Sequence, residues 1–152
     1  MIGFIWNSRG LNRPDKLTRA GDLIRENHPD FISLYETKKE NFTTAQLQVL
    51  DPQDRFTWNW LPATGTTGGI LASVNGDIFD VISRTNFNFC ISCVVKNKQN
   101  GDVWRFMSVY GTAYEEHKLE FITELHNAFA GWTEPTLVGD DFNLIRQASD
   151  KS

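Results

Sequence analysis

Several apolar runs in this chain stop abruptly on polar side chains. Val138-Gly139 leads into Asp140-Asp141-Phe142-Asn143, Phe31 to Tyr35 leads into Glu36, Ile2 to Trp6 leads into Asn7, and Val103 to Val109 leads into Tyr110. A buried strand that ends this way presents those groups at a sheet's carboxyl edge, where open α/β sheets bind ligands. The candidate site residues are therefore Asn7, Glu36, Tyr110, Asp141 and Asn143. Carboxylates with amide neighbours make an oxygen-rich site, which suits Mg²⁺ or Mn²⁺ rather than zinc. Mg²⁺ keeps several waters and binds through one or two carboxylates plus a substrate phosphate, whose phosphoryl oxygen it polarises. Asn and Tyr are suitable neutral donors to phosphate oxygens. Taken singly, each residue also has a plain structural reading. Asn7 can cap a turn, Glu36 can begin a loop, and Tyr110 can be an amphipathic edge residue.

The elements that must position these groups follow from periodicity and breakers. Ile2 to Trp6 reads as a buried strand running into the turn Asn7-Ser8-Arg9-Gly10. Pro14-Asp15 opens a helix to about Asn27, with Leu17, Ala20, Leu23 and Ile24 toward one side, and Pro29 prevents its continuation. Phe31 to Tyr35 is the next strand, and the order strand–helix–strand allows a helical crossover. A short helix is expected over 43–50, an aromatic strand over Phe56 to Leu61, a turn at Gly65 to Gly69, and a strand over Ile70 to Val74. Phe87, Phe89, Ile91, Cys93 and Val95 alternate with their neighbours at strand period. Asn100-Gly101 suits a two-residue hairpin turn with positive φ at both positions, returning Val103 to Tyr110 antiparallel. Thr112-Ala113-Tyr114-Glu115 reads as a capping box. The helix it opens runs to about Ala130, with Phe121, Ile122, Leu125, Ala128 and Phe129 on its apolar face and Gly131 as cap. Thr136 to Val138 is the last strand. The set implies a layered α/β sandwich with a mixed sheet.

The global numbers set bounds. A chain of 152 residues is one domain by length, and 40% hydrophobic content is enough for a core. A net charge of −4 argues against broad electrostatic capture of nucleic acid but not against an enzyme that holds phosphate through a metal. Cys90 and Cys93 sit in an alternating apolar segment and read as buried free thiols of a reducing compartment, hence an intracellular, nuclear or cytoplasmic setting. No apolar run is long enough to span a membrane, and the N-terminus lacks the basic region of a signal peptide.

In order, Phe4-Ile5-Trp6-Asn7-Ser8-Arg9-Gly10-Leu11, Leu34-Tyr35-Glu36-Thr37-Lys38, Thr67-Gly68-Gly69-Ile70, Val109-Tyr110-Gly111 and Gly139-Asp140-Asp141-Phe142-Asn143 resemble the successive motifs of the endonuclease/exonuclease/phosphatase superfamily. These are the DNase I-like and apurinic/apyrimidinic endonuclease-like hydrolases. In particular the chain resembles the endonuclease domain of plant LINE-type retrotransposons. The resemblance implies the N-terminal portion of a four-layer α/β/β/α sandwich with mixed sheets. It implies that Glu36 ligates Mg²⁺ with Asn7 beside it, and that Tyr110 contacts the scissile phosphate. Asp141 would orient or activate the attacking water, and Asn143 would hydrogen-bond phosphate oxygens. The reaction implied is nuclease-type phosphodiester hydrolysis on DNA by in-line water attack, leaving a 3′-hydroxyl.

Three departures qualify this. Asp140 stands where the family has a small residue, and Tyr35 stands where it usually has Gln. The family's later Asp and its terminal aspartate–histidine pair have no counterpart in residues 1–152, and His28, His117 and His126 do not substitute. On this reading the span is a truncated domain with little or no activity alone. The alternative is a non-catalytic protein-binding module derived from a retrotransposon endonuclease. A missing half-sandwich would leave one sheet face wet, at a cost on the order of 10 kcal/mol for several hundred Å². A homo-oligomer or a protein partner is then expected to cover it.

Overall fold

The computed structural model describes residues 1–65 and 67–141. Among these residues, eight strands and three α-helices follow in the order β1 (Gly3–Asn7), α1 (Pro14–Asn27), β2 (Phe31–Tyr35), α2 (Thr44–Leu50), β3 (Phe56–Leu61), β4 (Ile70–Asn75), β5 (Phe79–Asn86), β6 (Cys90–Asn97), β7 (Val103–Tyr110), α3 (Lys118–Phe129) and β8 (Thr136–Asp141). They form two four-stranded mixed sheets, β1-β2-β4-β3 and β5-β6-β7-β8. Each sheet has one parallel pair at an edge, β1 with β2 and β7 with β8, joined by α1 and α3 respectively. All other pairs are antiparallel.

Strand alternation sorts the side chains into layers. Phe31 and Tyr35 of β2, Ile70, Ala72 and Val74 of β4, and Ile91, Cys93 and Val95 of β6 meet Phe106 between the two sheets. The opposite face of the first sheet sends Ile32, Leu34 and Leu71 against Leu17, Ala20 and Ile24 of α1 and Leu50 of α2. The opposite face of the second sends Cys90, Met107 and Val109 against Phe121 and Ala128 of α3. The result is the α/β/β/α order of layers that the motifs implied.

This corrects the expectation of a sheet with one bare face. The second sheet has four strands, and its inner face is filled. The missing term was β5, an edge strand that the sequence reading passed over. Only Phe79 is buried in it, and a register shift between Val81 and Ser83 turns Ile82 outward, so no clean alternation is legible. On the edge strands β1 and β8, Ile5 is 45% and Leu137 38% exposed.

Other local expectations also moved. The turn at Asn100-Gly101 is a longer loop: the Asn97 amide donates to Asp102 and the Gly101 amide to Asn97, with positive φ at Gly101 but not at Asn100. The capping box at Thr112 does not form. Thr112 Oγ1 accepts from the Tyr114 amide, and a 3₁₀ turn at Glu115–His117 precedes α3. The capping box that does form joins Thr43 to Gln46 at α2. Phe87 and Phe89 lie outside β6, where the carboxylate of Glu124 on α3 accepts from the Asn88 and Phe89 amides. Ile122 and Phe129 are largely exposed rather than core. Cys90 and Cys93 are free and buried on opposite faces of β6. Burial pushes their thiols up to about 12 and about 11, so both stay protonated.

Candidate active site

The rim is set by register. Asn7 pairs with Tyr35 at the end of the β1/β2 pair, and Tyr110 pairs with Asp141 at the end of the β7/β8 pair. The two sheets present these ends side by side. The rings of Tyr35 and Tyr110 stack at 5.6 Å, and Asn7 Nδ2 donates to Asp141 Oδ2 at 3.5 Å. Asn7, Glu36, Tyr110 and Asp141 thus gather at one rim, across 134 residues of sequence for the Asn7–Asp141 contact. Asn143 lies outside the described residues.

Two features hold Glu36 there. Its backbone is left-handed, with φ of 54°, an uncommon conformation for a residue with a side chain. The loop after β1 then tracks the loop after β2: the Gly10 amide donates to the Glu36 carbonyl at 2.7 Å and the Leu11 amide to Thr37 at 2.9 Å. On the other side the Lys38 amide donates to Gly68 at 2.7 Å. Gly68 is needed for this closeness, since a Cβ there would lie 3.1 Å from Glu36 Cα and 3.1 Å from Tyr110 Cε1. Gly68→Val is therefore expected to cost about 1–3 kcal/mol by overpacking. A urea titration checks it, and an unchanged midpoint would show that the glycine is dispensable.

Tyr35 is a buried bolt between the sheets. Its Oη donates to the Gly139 carbonyl at 2.5 Å, two residues before Asp141. Ser33 Oγ lies 2.8 Å from Tyr35 Oη and 2.5 Å from Ser108 Oγ, so the polar group is satisfied within the core. Burial raises the Tyr35 phenol well above its ordinary range, which keeps it a neutral donor. Asp140 is exposed, and strand alternation directs it away from the face of Gly139 and Asp141.

A cleft of about 570 Å³ opens beside this rim, with Glu36, Lys38, Thr67, Gly68, Tyr110 and Tyr114 in its walls. Lys38 Nζ lies 3.5 Å from Glu36 Oε1. No role for Lys38 was assigned from sequence, although it stands two residues after Glu36. Its significance depends on a second left-handed residue, with φ of 56° at Lys38 itself.

The donor set fits a hard divalent cation. Glu36 is a partly exposed carboxylate at a cleft wall, and an ammonium already stands beside it as a stand-in cation. No cluster of three or more His, Cys, Asp or Glu side chains occurs among the described residues. Asn7 is held by hydrogen bonds at both ends of its amide. Its Oδ1 accepts from the Arg9 amide at 3.1 Å, and its Nδ2 is directed to Asp141.

No family model matches the chain, and no curated protein matches it. Solved structures do. The human Nocturnin catalytic domain with bound sulfate anion superposes with a TM-score of 0.75 at 15% identity, over 95% of this chain and 64% of that one. An endonuclease/exonuclease/phosphatase family protein from Bacteroides thetaiotaomicron gives a TM-score of 0.68 at 13% identity, over 99% and 66%. A mannosyl-6-phosphatase from Bacteroides thetaiotaomicron gives 0.66 at 13%, over 94% and 65%. The chain thus spans about two thirds of the length of these neighbours, and what it shares with them is the endonuclease/exonuclease/phosphatase fold.

Proposed function

We propose that residues 1–152 carry the cation-binding and water-orienting part of a Mg²⁺-dependent phosphodiesterase site of endonuclease type. The observation that carries this reading is the meeting of Asn7, Glu36, Tyr110 and Asp141 at one rim beside a cleft. Among the fold neighbours, one is a phosphatase and another holds a sulfate anion, a tetrahedral oxyanion like phosphate.

In this reading Glu36 would hold Mg²⁺ (or Mn²⁺), which when bound would polarise a phosphoryl oxygen. Asn7 acts as a positioning residue, fixing the carboxylate of Asp141 through its amide. Asp141 orients the attacking water and takes its proton. The Tyr110 hydroxyl, its ring held on Tyr35 and against Gly68, donates to a non-bridging phosphate oxygen, and Asn143 is proposed to do the same. Water oxygen bonds to phosphorus, the bond to O3′ breaks, and O3′ leaves as an alkoxide that takes a proton from solvent to become the 3′-hydroxyl. DNA is the proposed substrate, and a LINE-type origin accords with the motifs.

A short phosphorothioate oligonucleotide should bind in the presence of Mg²⁺ and lose about tenfold in affinity on Tyr110→Phe, the scale of one hydrogen bond to a charged group. Binding unaffected by chelator would overturn the reading. Residues 1–152 alone should nick plasmid DNA at background rate only. The sequence contains no aspartate–histidine pair to stabilise the leaving oxygen. One positioned acid or base is worth ~10²–10⁴-fold, and groups that act as a unit fail together. Mg²⁺-dependent nicking that vanishes in Asp141→Ala would show that this span suffices for turnover.

A second reading has its own observation. Ile5 and Leu137, on the inner faces of β1 and β8, are open at one edge of the sandwich. Apolar side chains at neighbouring sheet edges mark a place where further polypeptide packs, so a protein-binding role, as a homo-oligomer or with another partner, is the alternative. Light scattering should then show self-association of the isolated chain that Ile5→Lys abolishes. A monomer in both would count against self-association.

A further inference from the structure

We propose that Lys38 is the resident counter-ion of the cation site. Its ammonium holds the place at Glu36 that a divalent ion takes, and it turns to the substrate phosphate when that ion displaces it. This rests on the reading of Glu36 as the cation ligand.

The backbone makes the pairing. Glu36 and Lys38 are both left-handed, with φ of 54° and 56°, and the intervening Thr37 is fully buried. Two such residues in a span of three are held only because the surroundings over-determine them. Here the surroundings are the amide bonds from Gly10 and Leu11 on one side and the Gly68 carbonyl on the other. Both side chains consequently reach the same cleft, and Nζ comes within 3.5 Å of Oε1.

The pair is suited to exchange. Its side chains are 56% and 29% exposed, and ion pairs so open to water are weak. A divalent ion carries twice the ammonium's charge, so its attraction to Glu36 at equal distance is twice as large. Displacement leaves a four-carbon stem with a mobile head group, the kind of donor that finds a phosphate without fixed geometry. Among the described residues lining the cleft, Lys38 is the only one with a positive charge, whereas Glu36 and Glu40 are acidic. Two carboxylates against one ammonium leave these walls net negative until a divalent ion binds, and an anionic substrate then meets both the ion and a Lys38 no longer paired with Glu36. Cation binding thus does two things at once: it neutralises Glu36 and frees Lys38.

The test is titration calorimetry on the full 152-residue chain with Mn²⁺ alone, then with inorganic phosphate at saturating Mn²⁺. Lys38→Met should bind Mn²⁺ about tenfold tighter, the scale of removing one charge roughly 5 Å from a dication in water. The same variant should bind phosphate at least about fivefold more weakly. Lys38→Gln should reproduce both shifts, and Lys38→Arg should reproduce neither. Lys98→Met, whose ammonium pairs with Asp80 instead, should leave both affinities unchanged. Unchanged or weaker Mn²⁺ affinity in Lys38→Met and Lys38→Gln would overturn the counter-ion role. If Glu36→Gln still abolishes Mn²⁺ binding in that case, the cation site stands without it. Mn²⁺ binding that survives Glu36→Gln overturns the site and the proposal together.

Discussion

Glu36→Gln is expected to weaken Mn²⁺ binding by about thirtyfold or more. Gln keeps the size of the side chain and one carbonyl oxygen, so the change isolates the charge. A unit charge and a dication about 4 Å apart in water attract by ~2 kcal/mol, and each 1.4 kcal/mol is a factor of ten. Direct ligation at shorter distance makes this a lower bound. The substitution should leave the fold intact, because Glu36 is held by its own carbonyl and by the amides of its neighbours rather than by its carboxylate. Calorimetric titration with Mn²⁺ measures the loss, and an affinity equal to the parent's would remove Glu36 from the site. The same variant loses the ion pair to Lys38, so its melting temperature should move little, as exposed pairs are worth at most about 1 kcal/mol.

The second large effect falls on stability. Phe31→Ala should lower the free energy of unfolding by about 3–5 kcal/mol. Phe31 is fully buried at the centre of the layer between the sheets. Its ring lies 5.1 Å from that of Phe79 and 4.7 Å from those of Trp104 and Phe106, so truncation empties a space bounded by both sheets. Domains are stable by only about 5–15 kcal/mol, and at this chain length each kcal/mol is roughly 2–4 °C. The melting temperature should therefore fall by about 10 °C. Leu119→Ala, at a site 77% exposed on α3, should change it by less than about 2 °C. Equal shifts in the two variants would mean that the layer between the sheets is not the principal core.

Elements with strong local patterning were legible before any coordinates. The strand over Phe31 to Tyr35, the helix opened by Pro14 and the placement of Glu36 and Asp141 at strand ends all follow from periodicity, breakers and residue type. These are short-range properties, set by how a side chain alternates or repeats along its own element. The order of the motifs also carried the fold, because five segments at sensible spacing constrain a topology that no one of them does. What failed locally was turn chemistry: the Thr112 capping box and the Asn100-Gly101 turn are both good sequences for structures that tertiary contacts replaced. Thr112 instead accepts from the Tyr114 amide, and α3, which starts at Lys118, lays Phe121 in one cluster with Met107 and Val109.

Non-local questions had a different character. β5 has almost no buried face, so nothing in its sequence announces that it completes the second sheet. The size of the open surface depended on that one strand, and the expected bare face shrank to Ile5 and Leu137. The choice of Tyr35 makes sense only once Gly139, 104 residues away, is seen to accept its hydroxyl. The Asn7 amide donates to Asp141, a contact no spacing rule reveals. Lys38 stands beside Glu36 because two left-handed residues turn both side chains into one cleft, and backbone handedness at non-glycine residues is enforced by surrounding hydrogen bonds rather than by residue type. Residue chemistry thus names the groups capable of acting, while the packing of one sheet on the other determines which of them meet and at what distance.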